Sequence, residues 1–356
     1  MTAIIDNDQP AGAKAMATFV RARDTSPVPV QDPTAAVLGK GRWRWREAAF
    51  WAFAAGVFFL FPDHLMLGAQ VLITGLFALS LDLLVGYTGL VSLGHAAFFG
   101  VGAYTAGLLA QAGWGEPFSG LAVAALAAAI VGYASSHLIV RVHGIALLMI
   151  TMGVTILLHE LANRLAWITG GDDGLQGVTM WPVLGLFGFD LYGRTAYLYA
   201  LGVVFAMFCL ARGLVNSPFG LSLRGIRENS RRMPAIGSPM RSRIRTVYTM
   251  SAALAGVAGA LLAQTTEFVS LEVLSFQRSA EVLIILILGG TGRLYGAIIG
   301  AAVFLVGRDL LASANPQYWF FWLGLMLVLV VMFARGGILG GLENLLRLVQ
   351  RRRTDR

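Results

Sequence analysis

The chain has 356 residues, of which 57% are hydrophobic and only 13% charged, and its formal net charge is +8. A soluble domain of this size usually carries about a quarter charged residues, because water must wet its surface. The composition therefore excludes an ordinary soluble protein. The basic residues lie between apolar runs and at the two ends, a placement that sets membrane orientation and argues against nucleic acid as a partner.

Residues 1–45 are polar, basic and rich in Pro and Ala, and we expect a disordered cytoplasmic tail there. Ten apolar segments follow, and such runs predict membrane-spanning helices, which need about 20 residues each. The first and the eighth segment are short, so each either extends into its flanks or is a broken helix. The segments are 48–61, 65–85, 90–110, 120–140, 144–167, 196–211, 247–263, 280–288, 296–311 and 319–334.

The distribution of Lys and Arg predicts the orientation of these segments. With the N-terminus inside, 23 of the 27 basic residues fall on the cytoplasmic side, and only Arg164, Arg194, Arg278 and Arg308 fall outside. This asymmetry predicts ten crossings with both termini in the cytoplasm. The predicted transmembrane domain is then 46–340, with a cytoplasmic loop at 212–246 and a basic cytoplasmic tail at 341–356.

Two glycine-rich breaks interrupt the apolar segments, at 86–89 and 289–292. Irregular backbone at membrane depth is tolerated only against protein or a watery cavity, so the breaks either pack tightly or line a translocation path. The small-residue pairs Ala252/Gly256 and Gly296/Gly300 predict close helix crossing. The candidate path residues are Asp82, Gly86, Tyr87, Thr88, Gly89, Ser92, His95, Gly289, Gly290, Thr291 and Gly292.

His159 and Glu160 are the start of a motif that resembles a zinc-binding helix, but Asn163 stands where H-E-x-x-H needs its second histidine. We therefore predict no metal site. Glu160 and Arg164 are instead expected to form a structural pair one helical turn apart.

The inner loop contains the pattern of a short amphipathic helix. Ser217 is a suitable N-cap and Pro218 a suitable first residue, while Leu223 and Ile226 form an apolar stripe. We predict a helix from Pro218 to about Met233, where the following proline stops or kinks it. The alternative is a solvated loop whose arginines only enforce orientation. The charged residues of the segment are Arg224, Arg227, Glu228, Arg231 and Arg232.

Two classes of enzyme are disfavoured by missing motifs. No G-x-x-x-x-G-K-[ST] pattern is present, so the chain cannot hold nucleotide phosphates in a P-loop, and any ATP hydrolysis needs a separate subunit. An intramembrane protease needs an activated nucleophile beside a base, and Ser92 and His95 are too isolated to serve as one. We expect no catalytic residue and no cofactor in this chain.

Four blocks resemble the branched-chain amino acid ABC transporter permeases, most closely their M-type subunit. They are residues 86–95 with 102–104, residues 169–175, residues 224–229 followed by Gly237 and the small-residue stretch 251–261, and residues 288–296. The resemblance covers about 45–345. It implies an all-α integral membrane protein with about ten transmembrane helices, of the type II importer kind. Five spans separate the second segment from the seventh, which with the resemblance predicts an inverted repeat.

In that family the inner helix is the coupling helix, which sits in a groove of the cytosolic ATPase. The carry-over assigns this role to Arg224, Glu228 and Gly237, and the same helix adds Leu223, Ile226 and Arg227 as ATPase-coupling residues. Met233-Pro234 departs from the alanine-like helix formers usual before the glycine, which puts the placement of Gly237 in doubt.

The resemblance also implies the partners. They are a second homologous permease subunit, two cytosolic ATPase subunits that bind ATP and Mg, and a periplasmic substrate-binding protein, assembled in the bacterial inner membrane. The expected cargo is branched-chain amino acids or related small neutral or zwitterionic solutes. Urea, amides or aromatic acids remain alternatives, as does an ion-coupled secondary transporter that would work alone.

Overall fold

The computed structural model describes residues 45–318, except 143, 191 and 231, and separate short runs between 321 and 341. The predicted tails at 1–45 and 341–356 lie outside the described residues, apart from positions 45 and 341. Most of the tenth predicted segment, 319–334, also lies outside them.

The described part of the chain is α-helical, as predicted, and its only β-pairing consists of two isolated bridges, Leu175 with Val269 and Val183 with Phe187. Short helical turns at Pro62–His64, Ala166–Thr169, Gly171–Asp173, Arg232–Ala235 and Leu271–Leu274 lie in the connections. The longer helices are α1 (Trp45–Leu60), α2 (Leu65–Thr88), α3 (His95–Gln111), α4 (Pro117–Ile139), α5 (Ile145–Arg164), α6 (Arg194–Asn216), α7 (Pro218–Glu228), α8 (Met240–Thr266), α9 (Phe276–Gly289) and α10 (Leu294–Ala314).

Six of these helices are long and apolar enough to cross a membrane: α2 with its preceding turn, α4, α5, α6, α8 and α10. The predicted segments one, three and eight form the shorter helices α1, α3 and α9, of 16, 17 and 14 residues. A membrane span needs about 20 residues, so these three are shorter than a full crossing. Among the described residues the structure thus supports six spans of the predicted ten.

The third segment was predicted to begin near residue 90, and this boundary is wrong. Gly89 takes the left-handed conformation, with φ 75°, and ends α2. The amides of Gly89 and Leu90 both bond to the carbonyl oxygen of Leu84, the pattern of a helix that terminates at a left-handed glycine. The next helix begins only at His95, so the five residues before it form an irregular connection.

Small residues set the spacing of the central helices. A Cβ on Gly256 of α8 would lie 2.9 Å from the carbonyl oxygen of Ala124 in α4, and Gly102 of α3 packs against Gly256 itself. In the same way Gly296 and Gly300 of α10 lie against Gly289 of α9. Backbones approach closely at such positions, which confirms the close crossings predicted for both small-residue pairs.

Candidate functional site

The predicted amphipathic helix is α7, and its start is confirmed. Ser217 caps it by accepting a hydrogen bond from the amide of Gly220 at 3.3 Å, and Pro218 occupies the first position. Its end near Met233 was wrong, because α7 stops at Glu228. Asn229 turns to extended backbone, and its Oδ1 accepts a hydrogen bond from the amide of Arg232 at 3.1 Å, so it starts a separate turn.

The apolar stripe of α7 is buried within this chain. Leu223 has no exposed surface and belongs to the main core, while Ile226 packs with Val140 and Ile244. The sequence interpretation placed both side chains in a groove of a partner. In this structure they stabilise the contact of α7 with its own chain, and only the other side of the helix remains exposed. That exposed side includes Leu221 and Glu228.

The two arginines of α7 reach the end of α2. Arg227 Nη1 donates a hydrogen bond to the carbonyl oxygen of Gly86. Gly86 lies in the last turn of α2, where carbonyl groups lack partners within the helix and the helix dipole favours a cation. The Arg224 guanidinium lies over the ring of Tyr87, 5.5 Å from its centroid. The sequence interpretation treated the candidate coupling residues and the candidate path residues as separate groups. In the structure the two groups are in direct contact.

The second glycine break meets the first at the same place. Asp82 is fully buried in α2, and its Oδ1 accepts a hydrogen bond from the amide of Gly292 at 2.7 Å. A side chain on Gly86 would collide with the Asp82 carboxylate and with the Gly292 backbone. Three segments thus converge: the end of α2, the connection 290–292 and α7. We call this convergence, formed by Asp82, Gly86, Arg227 and Gly292, the glycine junction.

Three further path candidates, in and just after the first break, are packed into protein. Thr88 Oγ1 bonds to the carbonyl oxygen of Leu84 at 2.6 Å, and Ser92 Oγ accepts from the amide of Gly94 at 3.2 Å. His95 is wholly buried, with Nε2 3.0 Å from Ser80 Oγ and 3.3 Å from Ser251 Oγ. His95 therefore stabilises the contact between α2, α3 and α8, whereas the bonds of Thr88 and Ser92 are local.

The second break is built on backbone geometry. Gly290 and Gly292 have φ values of 106° and 78°, which L side chains rarely adopt. Gly289 packs on α10, and Thr291 is half-buried. Gly337, from the short runs beyond residue 320, lies against Gly290. The connection between α9 and α10 is therefore enclosed on several sides.

A cavity of about 980 Å³ lies between α4, α6 and α8, and none of the predicted path residues lines it. Its walls are almost wholly apolar, with Cys209, Met207 and Ser217 among the lining residues. A zwitterion placed there would leave both charges without partners, which is costly in an apolar site. This cavity suits apolar groups, not the ends of an amino acid.

Two ion-pair sites escaped the sequence interpretation. Arg212, near the C-terminal end of α6, pairs with Glu47 of α1, and their side chains are only 10% and 19% exposed. Glu281 of α9 accepts a hydrogen bond from Arg278 at 2.9 Å and forms an ion pair with Arg308 of α10 at 3.5 Å. The pair of Arg278 and Glu281 could have been predicted, because residues three apart on a helix are neighbours. The pair of Glu47 and Arg212 could not, because 165 positions separate the two residues in the sequence.

The Glu160–Arg164 pair is confirmed, with Arg164 Nε donating to Glu160 Oε1 at 2.7 Å. Both side chains are largely exposed at the end of α5, so the pair contributes little stability. Among the residues that the structure describes, no three His, Cys, Asp or Glu side chains converge as a metal site would require.

An all-α fold with six helices long and apolar enough to cross a membrane, and an amphipathic helix between two of them, defines a multi-pass membrane protein. The family described as "Branched-chain amino acid transport system / permease component" matches residues 65–333, and the chain belongs to that family.

Three relatives agree with this assignment. The chain is 33% identical to the high-affinity branched-chain amino acid transport system permease protein LivM of Escherichia coli and 32% identical to that of Salmonella typhimurium. Each match covers 73% of this chain and 66% of the relative. A probable branched-chain amino acid transport permease protein LivM of Methanocaldococcus jannaschii is 27% identical over 39% of this chain and 40% of its own length. No solved structure matches the chain significantly.

Proposed function

We propose that this chain is the membrane-spanning permease subunit of an ATP-binding-cassette importer for branched-chain amino acids or related small neutral or zwitterionic solutes. The observation that carries the proposal is the family match over residues 65–333. The names of the two bacterial relatives support the substrate class. Because the chain spans 66% of those relatives, their substrate and assembly are transferred to it as part of the proposal.

The contact with the ATPase is assigned to the exposed side of α7. This short helix is capped at Ser217 and fixed to the chain by Leu223 and Ile226, so it presents a stable surface between α6 and α8. Glu228 and the turn that ends at Gly237 lie on the exposed side, and a Cβ on Gly237 would meet open space. The 23-to-four split of basic residues supports a cytoplasmic location for α7 and for both termini.

The proposed assembly contains a second homologous permease, two cytosolic ATPase subunits that bind ATP and Mg, and a periplasmic substrate-binding protein. Since the sequence lacks a P-loop, the hydrolysis belongs to the partners. No cofactor is assigned to this chain, and its surroundings are the lipid of the bacterial inner membrane.

Ten crossings and an inverted repeat complete the proposed architecture. In both halves a long helix is followed by an irregular connection and a short helix, α2 with α3 and α8 with α9. The starts of the two short helices meet, where the amide of Ala96 donates to Ser279 Oγ at 2.9 Å. This arrangement is what two corresponding segments of opposite orientation would produce.

Reconstitution tests the proposal. The complex that co-purifies with a tag on this chain is placed in liposomes together with its substrate-binding protein, and uptake of leucine, urea and an aromatic acid is measured with and without ATP. Leucine uptake that requires ATP and the co-purified ATPase supports the proposal. Uptake by the chain alone, driven by a proton or sodium gradient, would identify a secondary transporter instead.

A further inference from the structure

α7 is anchored to the membrane-embedded helices by its buried face. Leu223 lies in the main core, and the backbone of Gly220 is so close to Val215 of α6 that a side chain would collide with its carbonyl group. Protein interiors are close-packed and transmit displacement. A force applied to α7 therefore reaches its neighbours.

Arg227 connects α7 to one particular neighbour, the end of α2. Its guanidinium binds the carbonyl oxygen of Gly86, and its side-chain stem lies 3.3 Å from the position that a Cβ on Gly89 would take. A hydrogen bond with a charged partner is shorter and stronger than a neutral one. Arg227 thus ties α7 to the last turn of α2.

Gly292 continues the chain of contacts. A Cβ built on Gly292 would lie 3.1 Å from Arg227 Nη1 and 3.2 Å from the carbonyl oxygen of Gly86. The amide of the same residue is held by Asp82 at 2.7 Å. The backbone of Gly292 therefore lies between Asp82, which binds its amide, and the guanidinium of Arg227.

Any change in the angle between α9 and α10 would have to be absorbed in the connection 290–292, which joins them. Gly290 and Gly292 have positive φ, and hinges are a few loop residues that absorb backbone rotation. Among the described residues, two hydrogen bonds connect α7 to this connection through α2. One joins Arg227 to Gly86, and the other joins Asp82 to Gly292.

We propose that Arg227 and Asp82 are positioning residues of the transport cycle, which hold the 290–292 hinge in register with α7. Movement of α7, driven by its ATPase, would then be converted into movement of α9 against α10. The role of α7 rests on the proposed function, whereas the linkage itself is a property of this chain.

The first test needs no partner. Thr291 is half-buried beside the hinge, so Thr291→Cys in a Cys209→Ser background reports its opening to a thiol reagent. Arg227→Gln and Asp82→Ala each remove one tie and should raise the labelling rate about tenfold, the equivalent of one charge-assisted hydrogen bond. Asp82→Asn keeps an acceptor for the Gly292 amide and should label like the parent. Arg241→Gln, an exposed arginine at the start of α8, is the matched control.

The second test uses the co-purified complex in liposomes. In complexes of Arg227→Gln with its ATPase, the leucine taken up per ATP hydrolysed should fall about tenfold. The double variant Arg227→Gln/Asp82→Ala should be no worse than the more affected single variant, because both act on one linkage.

Labelling rates within about twofold of the parent in both single variants would overturn the linkage, whatever the complex transports. Loss of the ATPase from Arg227→Gln would also overturn it, since the arginine would then serve the partner surface. A parent complex that binds no ATPase and takes up no leucine refutes the proposed function, and the labelling result still decides the linkage.

Discussion

The amide of Gly292 donates a hydrogen bond to Oδ1 of Asp82 across 210 positions of the sequence. The bond joins the two glycine breaks, and it forms where Gly86 leaves room for the backbone of Gly292. A buried carboxylate is costly, and here Oδ1 is bound by the Gly292 amide while Oδ2 has no hydrogen-bond partner among the described residues. The bond therefore identifies Asp82 as a structural partner of the second break.

Gly86→Ala should destabilise the protein. The added methyl group would overlap the Asp82 carboxylate and the Gly292 backbone, and overpacking a filled site costs about 1–3 kcal/mol. We expect a lower thermal midpoint in detergent. Gly153→Ala in α5 is the control, because a Cβ there meets open space and alanine favours a helix. Equal midpoints for the two variants would contradict the crowding at Gly86.

Two leucines of α7 should give opposite results. Leu223 is fully buried, and Leu223→Ala should cost about 2–5 kcal/mol of stability. Leu221 is 44% exposed, so Leu221→Ala should leave the thermal midpoint unchanged. If α7 meets the ATPase with its exposed side, only Leu221→Ala should reduce co-purification of the ATPase while the chain stays folded. Unchanged stability of Leu223→Ala would show that its burial is misassigned.

Glu228→Lys should weaken the partner contact without unfolding the chain, because Glu228 is exposed at the end of α7. Loss of one member of a desolvated charge pair costs about 2–5 kcal/mol. The measurement is the amount of ATPase recovered with the tagged variant, with Thr246→Lys on the exposed side of α8 as control. Full recovery with Glu228→Lys, together with parental transport, would mean that α7 is not the coupling element.

The pair of Glu47 and Arg212 should behave as a unit. Its two side chains are mostly buried, and removal of one partner of a buried ion pair costs about 3–5 kcal/mol. Glu47→Leu and Arg212→Met should each lower the unfolding midpoint strongly. The double variant should recover most of the loss, since two apolar groups can pack without a charge. Additive losses would show that the two residues act separately.

Cysteine labelling tests the orientation. Asp172→Cys and Ser242→Cys both place a thiol at an exposed position, in segments predicted to face opposite sides. In a Cys209→Ser background and intact cells, only Asp172→Cys should react with an impermeant reagent, because its segment is predicted outside. Reaction at Ser242→Cys would reverse the assignment of α7 to the cytoplasm.

Helix positions were largely predictable from the sequence, because apolar runs and local caps such as Ser217-Pro218 are short-range signals. The exact ends were less so. Asn229 ends α7, and its side chain also starts the next turn by accepting a hydrogen bond from the amide of Arg232. The sequence alone did not predict that the helix would end there. The glycine breaks were identified, but their meeting was not, since the contact between Asp82 and Gly292 depends on how distant helices pack.

The inward face of α7 shows a similar limit. Leu223 and Ile226 are spaced as an apolar stripe. Such spacing predicts that the stripe will be buried, but it does not predict which surface will bury it. A partner groove and the chain's own core predict the same pattern. Packing decides between them, and here Leu223 is covered by the core of its own chain.

Cys209 is the single cysteine of the chain and lies in the wall of the 980 Å³ apolar cavity. This chain therefore carries a single thiol, which lies in the cavity between α4, α6 and α8. A polarity-sensitive fluorophore attached there would need no prior removal of other thiols from this chain. Its emission colour would report wetting or lipid entry between these helices during turnover, in real time and in the unmodified sequence.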